Sequence, residues 1–85
     1  MDCKEIEALL TQALSLDDVY VTTDGSHFKV IAVSESFEPM SRIKRQQTVY
    51  APLMEKITSG ELHAVTIKTF TRTQWKREKV LNMPS

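Results

Sequence analysis

The pair Asp24-Gly25, set between Val19-Tyr20-Val21-Thr22-Thr23 and a run from Phe28 to Ser34, constrains this chain more than any other feature. Asp-Gly between two stretches of β-branched and aromatic residues is hairpin chemistry, because glycine accepts the positive φ that a tight reversal needs. A sheet therefore starts here with two antiparallel strands. In the return strand, Phe28, Val30 and Ala32 fall on one face and Lys29, Ile31 and Val33 on the other. Two largely apolar faces predict a central strand, so a third strand must lie elsewhere in the chain.

The remaining elements follow from periodicity. Residues 2–14 read as a helix: Asp2 is the N-cap, Glu5 completes a capping box, and Ile6, Leu9, Leu10 and Ala13 form one apolar stripe. Leu16-Asp17-Asp18 is a turn, and Glu38-Pro39 ends the hairpin region. Ser41 caps a second helix running to about Ile57, with Ile43, Tyr50, Leu53, Met54 and Ile57 as its buried stripe. Pro52 removes a backbone donor inside this helix and predicts a kink or break near Ala51. Ser59-Gly60 terminates the region, and Leu62 to Phe70 is the third strand, with Val65 and Ile67 inward. Thr73 caps a last helix from Gln74 to about Leu81, anchored by Trp75. The order α-β-β-α-β-α predicts an α+β fold, a three-stranded sheet covered by helices on one side.

Eighty-five residues make one domain, 1–85, with a modest core. Eleven basic and eleven acidic residues cancel, so no global field holds nucleic acid or an anionic membrane, and such binding needs a local patch. The single cysteine, Cys3, cannot close an internal disulfide, which points to a reducing compartment. With neither a signal-like start nor an apolar run of spanning length, the expectation is a cytoplasmic protein without membrane association.

Two histidines carry the chemistry that is available. His27 follows the hairpin turn and His63 opens the third strand. Imidazole is a common neutral metal ligand that titrates near physiological pH, and two at loop–strand junctions can share one metal if the sheet joins those ends. The alternative is that both bond locally, since no H-x-x-x-H, C-x-x-C or acidic cluster completes a site. Any metal then needs ligands from a partner or a small molecule. An enzyme reading has little support: Ser26-His27 lacks an orienting third group, Asp17, Asp18 and Asp24 lie in turns, and Cys3 is near-terminal. Arg42, Lys44 and Arg45 stand at the helix end where the dipole disfavours cations, which fits either an anionic partner or a solvated face. Arg72, Lys76, Arg77 and Lys79 surround Trp75 and can touch phosphates, although Glu78 interrupts them.

Five ordered segments resemble the BolA family. They are Gly25-Ser26-His27-Phe28-Lys29-Val30, Ser34-Glu35-Ser36-Phe37-Glu38, Arg42 through Tyr50, Leu62-His63-Ala64-Val65-Thr66-Ile67 and Thr71-Arg72-Thr73-Gln74-Trp75. Within that family the chain looks most like the short, bacterial, IbaG-type branch. The resemblance implies an αββαβ fold like a class II KH domain. It also implies partnership with a monothiol, CGFS-type glutaredoxin, the two proteins holding a bridging [2Fe–2S] cluster with glutathione in iron–sulfur trafficking, iron homeostasis and stress response. The isolated chain is then expected to carry no cofactor.

The family's histidine before the last strand matches His63, which becomes the main expected ligand. Other branches place a second ligand in a longer loop between the first two strands. Here that loop is cut to Thr23-Asp24-Gly25-Ser26, and His27 is the nearest substitute. Relatives that read Arg-His-Arg correspond to Arg45-Gln46-Gln47, and no Gly-x-x-Gly clamp occurs. Arg42, Lys44 and Arg45 are candidates to dock acidic groups of the partner or of glutathione. The alternative function is a KH-like DNA-binding regulator using Arg72, Lys76 and Arg77.

Overall fold

The computed structural model describes residues 2–82, with side chains through residue 78. Its elements are α1 (Cys3–Ala13), β1 (Asp18–Thr23), β2 (His27–Val33), α2 (Arg42–Tyr50), α3 (Met54–Thr58), β3 (Ala64–Phe70) and α4 (Arg72–Asn82). Two 3-10 turns, Glu35–Phe37 and Ala51–Leu53, join β2 to α2 and α2 to α3. The sheet order is β1-β2-β3, with β2 antiparallel to β1 and parallel to β3. As its two apolar faces predict, β2 is central. A parallel pair requires a crossover, and α2 and α3 supply it.

The α1 cap forms as read: the Glu5 N–H donates to Asp2 Oδ1 at 2.8 Å, and the Asp2 N–H donates to Glu5 Oε1 at 3.2 Å. Ile6 and Leu10 are fully buried, whereas Ala13 is exposed and half-buried Leu14 and Leu16 continue the packing instead. The main core joins them to Val21, Val30, Ala32, Phe37, Val49, Leu53, Leu62 and Ile67.

Pro52 breaks the second helix as expected, with α2 ending at Tyr50 and a tighter 3-10 turn carrying the proline before α3. The stripe is corrected as well. Ile43 and Met54 are 71% and 49% exposed, while Val49 is fully buried beside Leu53. The change to 3-10 geometry rotates Met54, beyond it, onto a new face, whereas Ile43 lies before the break, in α2, off the side that buries Val49.

The other face of the sheet is not bare, which corrects the expectation of cover on one side only. Helices α1 to α3 pack on the first face, and Trp75 of α4 covers Ile31 and Val33 on the second, flanked by Tyr20 and Phe70. Its ring centroid lies 5.5 Å from Tyr20 and 5.2 Å from Phe70. The reason is the alternation in β2, which exposes apolar side chains on both faces. The cap of α4 also moves: the Gln74 N–H donates to Thr71 Oγ1 at 3.2 Å and the Thr71 N–H to Gln74 Oε1 at 2.9 Å. Thr71, not Thr73, starts the helix, through a Thr-x-x-Gln capping box.

The Ser34–Glu38 segment is a structural joint. Buried Ser34 donates its hydroxyl to the Ser15 carbonyl at 2.8 Å, and its N–H donates to the Phe70 carbonyl at 3.0 Å. Glu35 Oε1 accepts from the Arg72 N–H at 3.1 Å, and Asp17 Oδ2 accepts from the Glu35 N–H at 3.0 Å. The segment thereby fastens α4 and the start of β1 to one end of the sheet.

Candidate functional site

At the opposite end of the sheet, the hairpin turn sets His27. Gly25 has φ +112°, a conformation strained for any side chain. Asp24 Oδ1 accepts from the His27 N–H at 2.9 Å and the Ser26 N–H at 3.2 Å, and these donors, His27 foremost, hold its carboxyl below the usual range. Thr23 Oγ1 donates to the His27 carbonyl at 3.0 Å. Backbone and side-chain bonds therefore fix where the His27 ring leaves the chain.

In the parallel register His27 is the partner of Ala64, so His63 stands immediately before that position on the neighbouring strand. The two histidines that are 36 positions apart in sequence (63 minus 27) reach the same end of adjacent strands. Their surroundings differ. The His27 ring is exposed, but its Nε2 is 2.7 Å from Thr66 Oγ1 on β3. The His63 ring is also exposed, and its nitrogens meet no partner among the described residues. The segment that carries it is held from below. Leu62 is fully buried, and its N–H donates to the Lys56 carbonyl at 3.1 Å. Just upstream, the Ser59 hydroxyl donates to Glu61 Oε2 at 3.0 Å and Lys56 lies 3.5 Å from the same oxygen, so that, Ser59 first, they lower the Glu61 carboxyl pKa.

An exposed imidazole with no internal bond, on a backbone pinned by a core leucine, can donate a lone pair to an external metal without first breaking anything. His27 has its Nδ1 to offer, or its Nε2 if the Thr66 bond is given up. Among the described residues no group of three or more His, Cys, Asp and Glu side chains gathers into a metal site. Cys3 packs half-buried against the main core from the first position of α1. A metal at the histidine end of the sheet would thus need most of its ligands from outside.

The cations gather elsewhere. Arg42, Arg45 and Arg77 line one groove of about 530 Å³ between α2 and α4, floored by Ile67, Thr69 and Phe70 of β3. Exposed Lys44 lies outside the lining, as do exposed Arg72 and Lys76, while the Lys79 side chain is outside the described residues. Arg45 is largely committed to the fold. Its Nε donates to the carbonyls of Phe37 (2.9 Å) and Met40 (3.3 Å), and its Nη1 donates to Gln74 Oε1 at 3.0 Å. This explains a cation at the unfavourable end of α2: the guanidinium serves loop carbonyls that precede the helix. His63 lies at the other end of β3, roughly 15–20 Å away at about 3.3 Å per residue.

Sequence reasoning missed three of these side chains. Thr66 as the partner of His27 depends on a parallel register that no local pattern reveals. Gln46, whose Nε2 donates to the Ile67 carbonyl at 2.7 Å, likewise carries no local signal. Gln74 did carry one, the Thr71-Arg72-Thr73-Gln74 box.

Comparison with known proteins agrees with this architecture. The model of the BolA-like protein family matches residues 6–74. The acid stress protein IbaG of Escherichia coli K12 is 55% identical over 82 residues, covering 96% of this chain and 98% of that protein. The solution structure of mouse BolA1 superimposes with a TM-score of 0.76 at 33% identity, covering 96% of this chain and 74% of that one. The BolA domain of SufE1 from Arabidopsis thaliana gives a TM-score of 0.72 at 27% identity, covering 82% and 91%. Sequence along nearly the whole length and fold thus agree, and the chain belongs to the BolA family.

Proposed function

We propose that this chain is a non-enzymatic adaptor that lends histidine to a [2Fe–2S] cluster held jointly with a monothiol glutaredoxin and glutathione, in a stress-linked branch of iron–sulfur handling. The observation that carries this reading is His63: exposed, unpartnered among the described residues, and beside His27 at one end of the sheet. The donor chemistry fits, because neutral imidazole is an iron ligand and the chain offers too few ligands to close a site alone. A half-site is useful only to a protein whose partner brings the thiolates. The name of the E. coli relative, an acid stress protein, supports the stress setting.

In this role His63 presents a neutral ring nitrogen, and the buried Leu62 keeps the ring's backbone from drifting. His27 is the second candidate, with its ring oriented by Thr66. When bound, the cluster supplies transferable iron and sulfide together with a redox couple, and imidazole in place of thiolate makes that couple more oxidising. Arg42, with exposed Lys44, is placed to meet acidic groups of the partner away from the metal end.

Mixing the purified chain with a monothiol glutaredoxin, glutathione, ferrous iron and sulfide tests this. A visible absorption and circular dichroism spectrum distinct from that of the glutaredoxin alone is expected, and His63→Ala should abolish or alter it. An identical spectrum from the variant removes His63 from the ligand set.

A further inference from the structure

We propose that the free edge of β3 is a docking strand for an extended acidic segment of a partner protein, which pairs with the edge backbone while adjacent carboxylates meet arginines on both sides. This site is separate from the histidine end and does not depend on iron.

β3 is an edge strand, since only β2 pairs with it. Successive strand residues address opposite edges with their backbone groups. The Ser34 N–H donates to the Phe70 carbonyl, so Phe70 addresses the β2 side. By alternation Thr69 and Ile67 address the outside, and Gln46 donating to the Ile67 carbonyl bears that out. The Thr69 N–H and carbonyl therefore point outward, and among the described residues nothing bonds to either.

The other edge carries a comparable bond. On β1 the Val21 N–H, which faces outward, donates to Glu7 Oε2 at 3.2 Å. Natural sheets blunt such edges because an open one recruits another strand. Each edge is met by one side chain of the same molecule, Glu7 at Val21 on β1 and Gln46 at Ile67 on β3, and what sets the β3 edge apart is that Thr69 opens into a groove walled by arginines.

The groove states what it would accept. Helix α2 covers one face of β3 and α4 the other, so a strand laid on this edge sits between them. Arg42 and Arg45 line the α2 wall and Arg77 the α4 wall. Side chains of an added strand alternate between the two walls, so consecutive acidic residues reach arginine on both sides. Lys68 and Glu78 also line the groove and are each already engaged, so neither is counted. Four consecutive residues, Ile67 to Phe70, form the floor, about 13 Å of strand. An extended peptide fits this slot.

The probe is a short capped peptide with adjacent glutamates in a valine- and threonine-rich background, titrated into the isotopically labelled chain at low salt. Binding should move the amide signals of Thr69 and Ile67 and slow hydrogen exchange at Thr69. It should weaken by about tenfold or more with Arg42→Glu and Arg77→Glu combined, or when the peptide's glutamates become glutamine. Thr69→Pro removes the outward N–H but no ladder bond to β2, and should also abolish binding. If that variant fails to fold, the same peptide with methylated backbone nitrogens makes the equivalent test from the other side, because it keeps the charge and loses the edge bonds. The proposal is overturned if the methylated peptide binds as well as its parent, if a single-stranded oligonucleotide of equal charge binds and the peptide does not, or if neither binds. His63→Ala should leave peptide binding unchanged, so this result and the cluster result stand or fall separately.

Discussion

The two ends of β3 are built on opposite plans. At the amino end His63 stands exposed and unpartnered among the described residues, and only the leucine before it is tied into the core. At the carboxyl end a set of polar side chains is cross-bonded. Arg45 reaches Phe37, Met40 and Gln74, Gln74 closes a box with Thr71, and Glu35 caps the next helix. A side chain already bonded contributes to stability and must lose a bond before it can bind a ligand, whereas one left bare contributes little and binds at no such cost. The difference separates a bonded joint from a side chain left bare.

The largest effect that could break this contrast is an exchange of roles. His63→Ala should eliminate or reshape the spectrum of the mixed cluster while leaving the thermal midpoint nearly unchanged, because no internal bond is lost. Arg42→Glu should leave that spectrum's shape intact and only weaken assembly with an acidic partner. A melting temperature that drops sharply with His63→Ala would show that the open end is structural after all.

Arg45→Ala sharpens the other side of the contrast. Removing a guanidinium that satisfies two carbonyls and joins α2 to α4 should destabilise the fold by about 2 kcal/mol, read from urea unfolding of the chain alone. The equivalent loss at Arg42 should be within about 0.5 kcal/mol, as for an ordinary surface position.

A smaller effect separates the two histidines. Thr66→Val removes the bond to His27 Nε2 and leaves His63 untouched. If His27 ligates, freeing its ring should shift the circular dichroism bands of the mixed cluster slightly. An unchanged spectrum with both Thr66→Val and His27→Ala assigns this chain's contribution to His63 alone.

The smallest expected effect concerns the turn that sets His27. The Asp24 carboxyl accepts two backbone N–H bonds, so its pKa is lowered from 3.8 in the folded chain. Its contribution is present above the unfolded value and disappears as pH falls through the lower folded value. Asp24→Ala should lower the melting temperature by a small amount at neutral pH, and wild type and variant should converge in strong acid. Melts across an acid series check this, and persistent separation in strong acid would assign the effect to the turn's geometry instead of its charge.

Much of the fold was legible because its signals are local. Asp2 with Glu5, Asp24-Gly25, Pro52 and Ser59-Gly60 each act through backbone chemistry within a few residues, and each marks the boundary it was read to mark. The sequence misleads where one period is extended across a break, as at Met54, where the buried side of a helix is set by its packing, as at Ile43, and where a second threonine two residues away mimics the cap, as Thr73 does for Thr71. The five segments that carry the family resemblance pointed to His63 directly. They did not distinguish Arg45, a fold residue, from Arg42, an exposed one, because the two differ only in what lies across α2.

By itself, the sequence determined the order of elements, the central place of β2, the family and the lone availability of imidazole as a soft-metal donor outside Cys3. Those properties depend on neighbours along the chain and on residue chemistry. The tertiary structure alone decided that His27 and His63 share an end of the sheet, that Thr66 holds one of them, that Trp75 covers the second face, and that arginines from α2 and α4 flank an open strand edge. Each of these is a contact between residues far apart in sequence. Such contacts are set by the register of a parallel pair and the packing of two helices, and neither leaves a periodic trace in a single sequence.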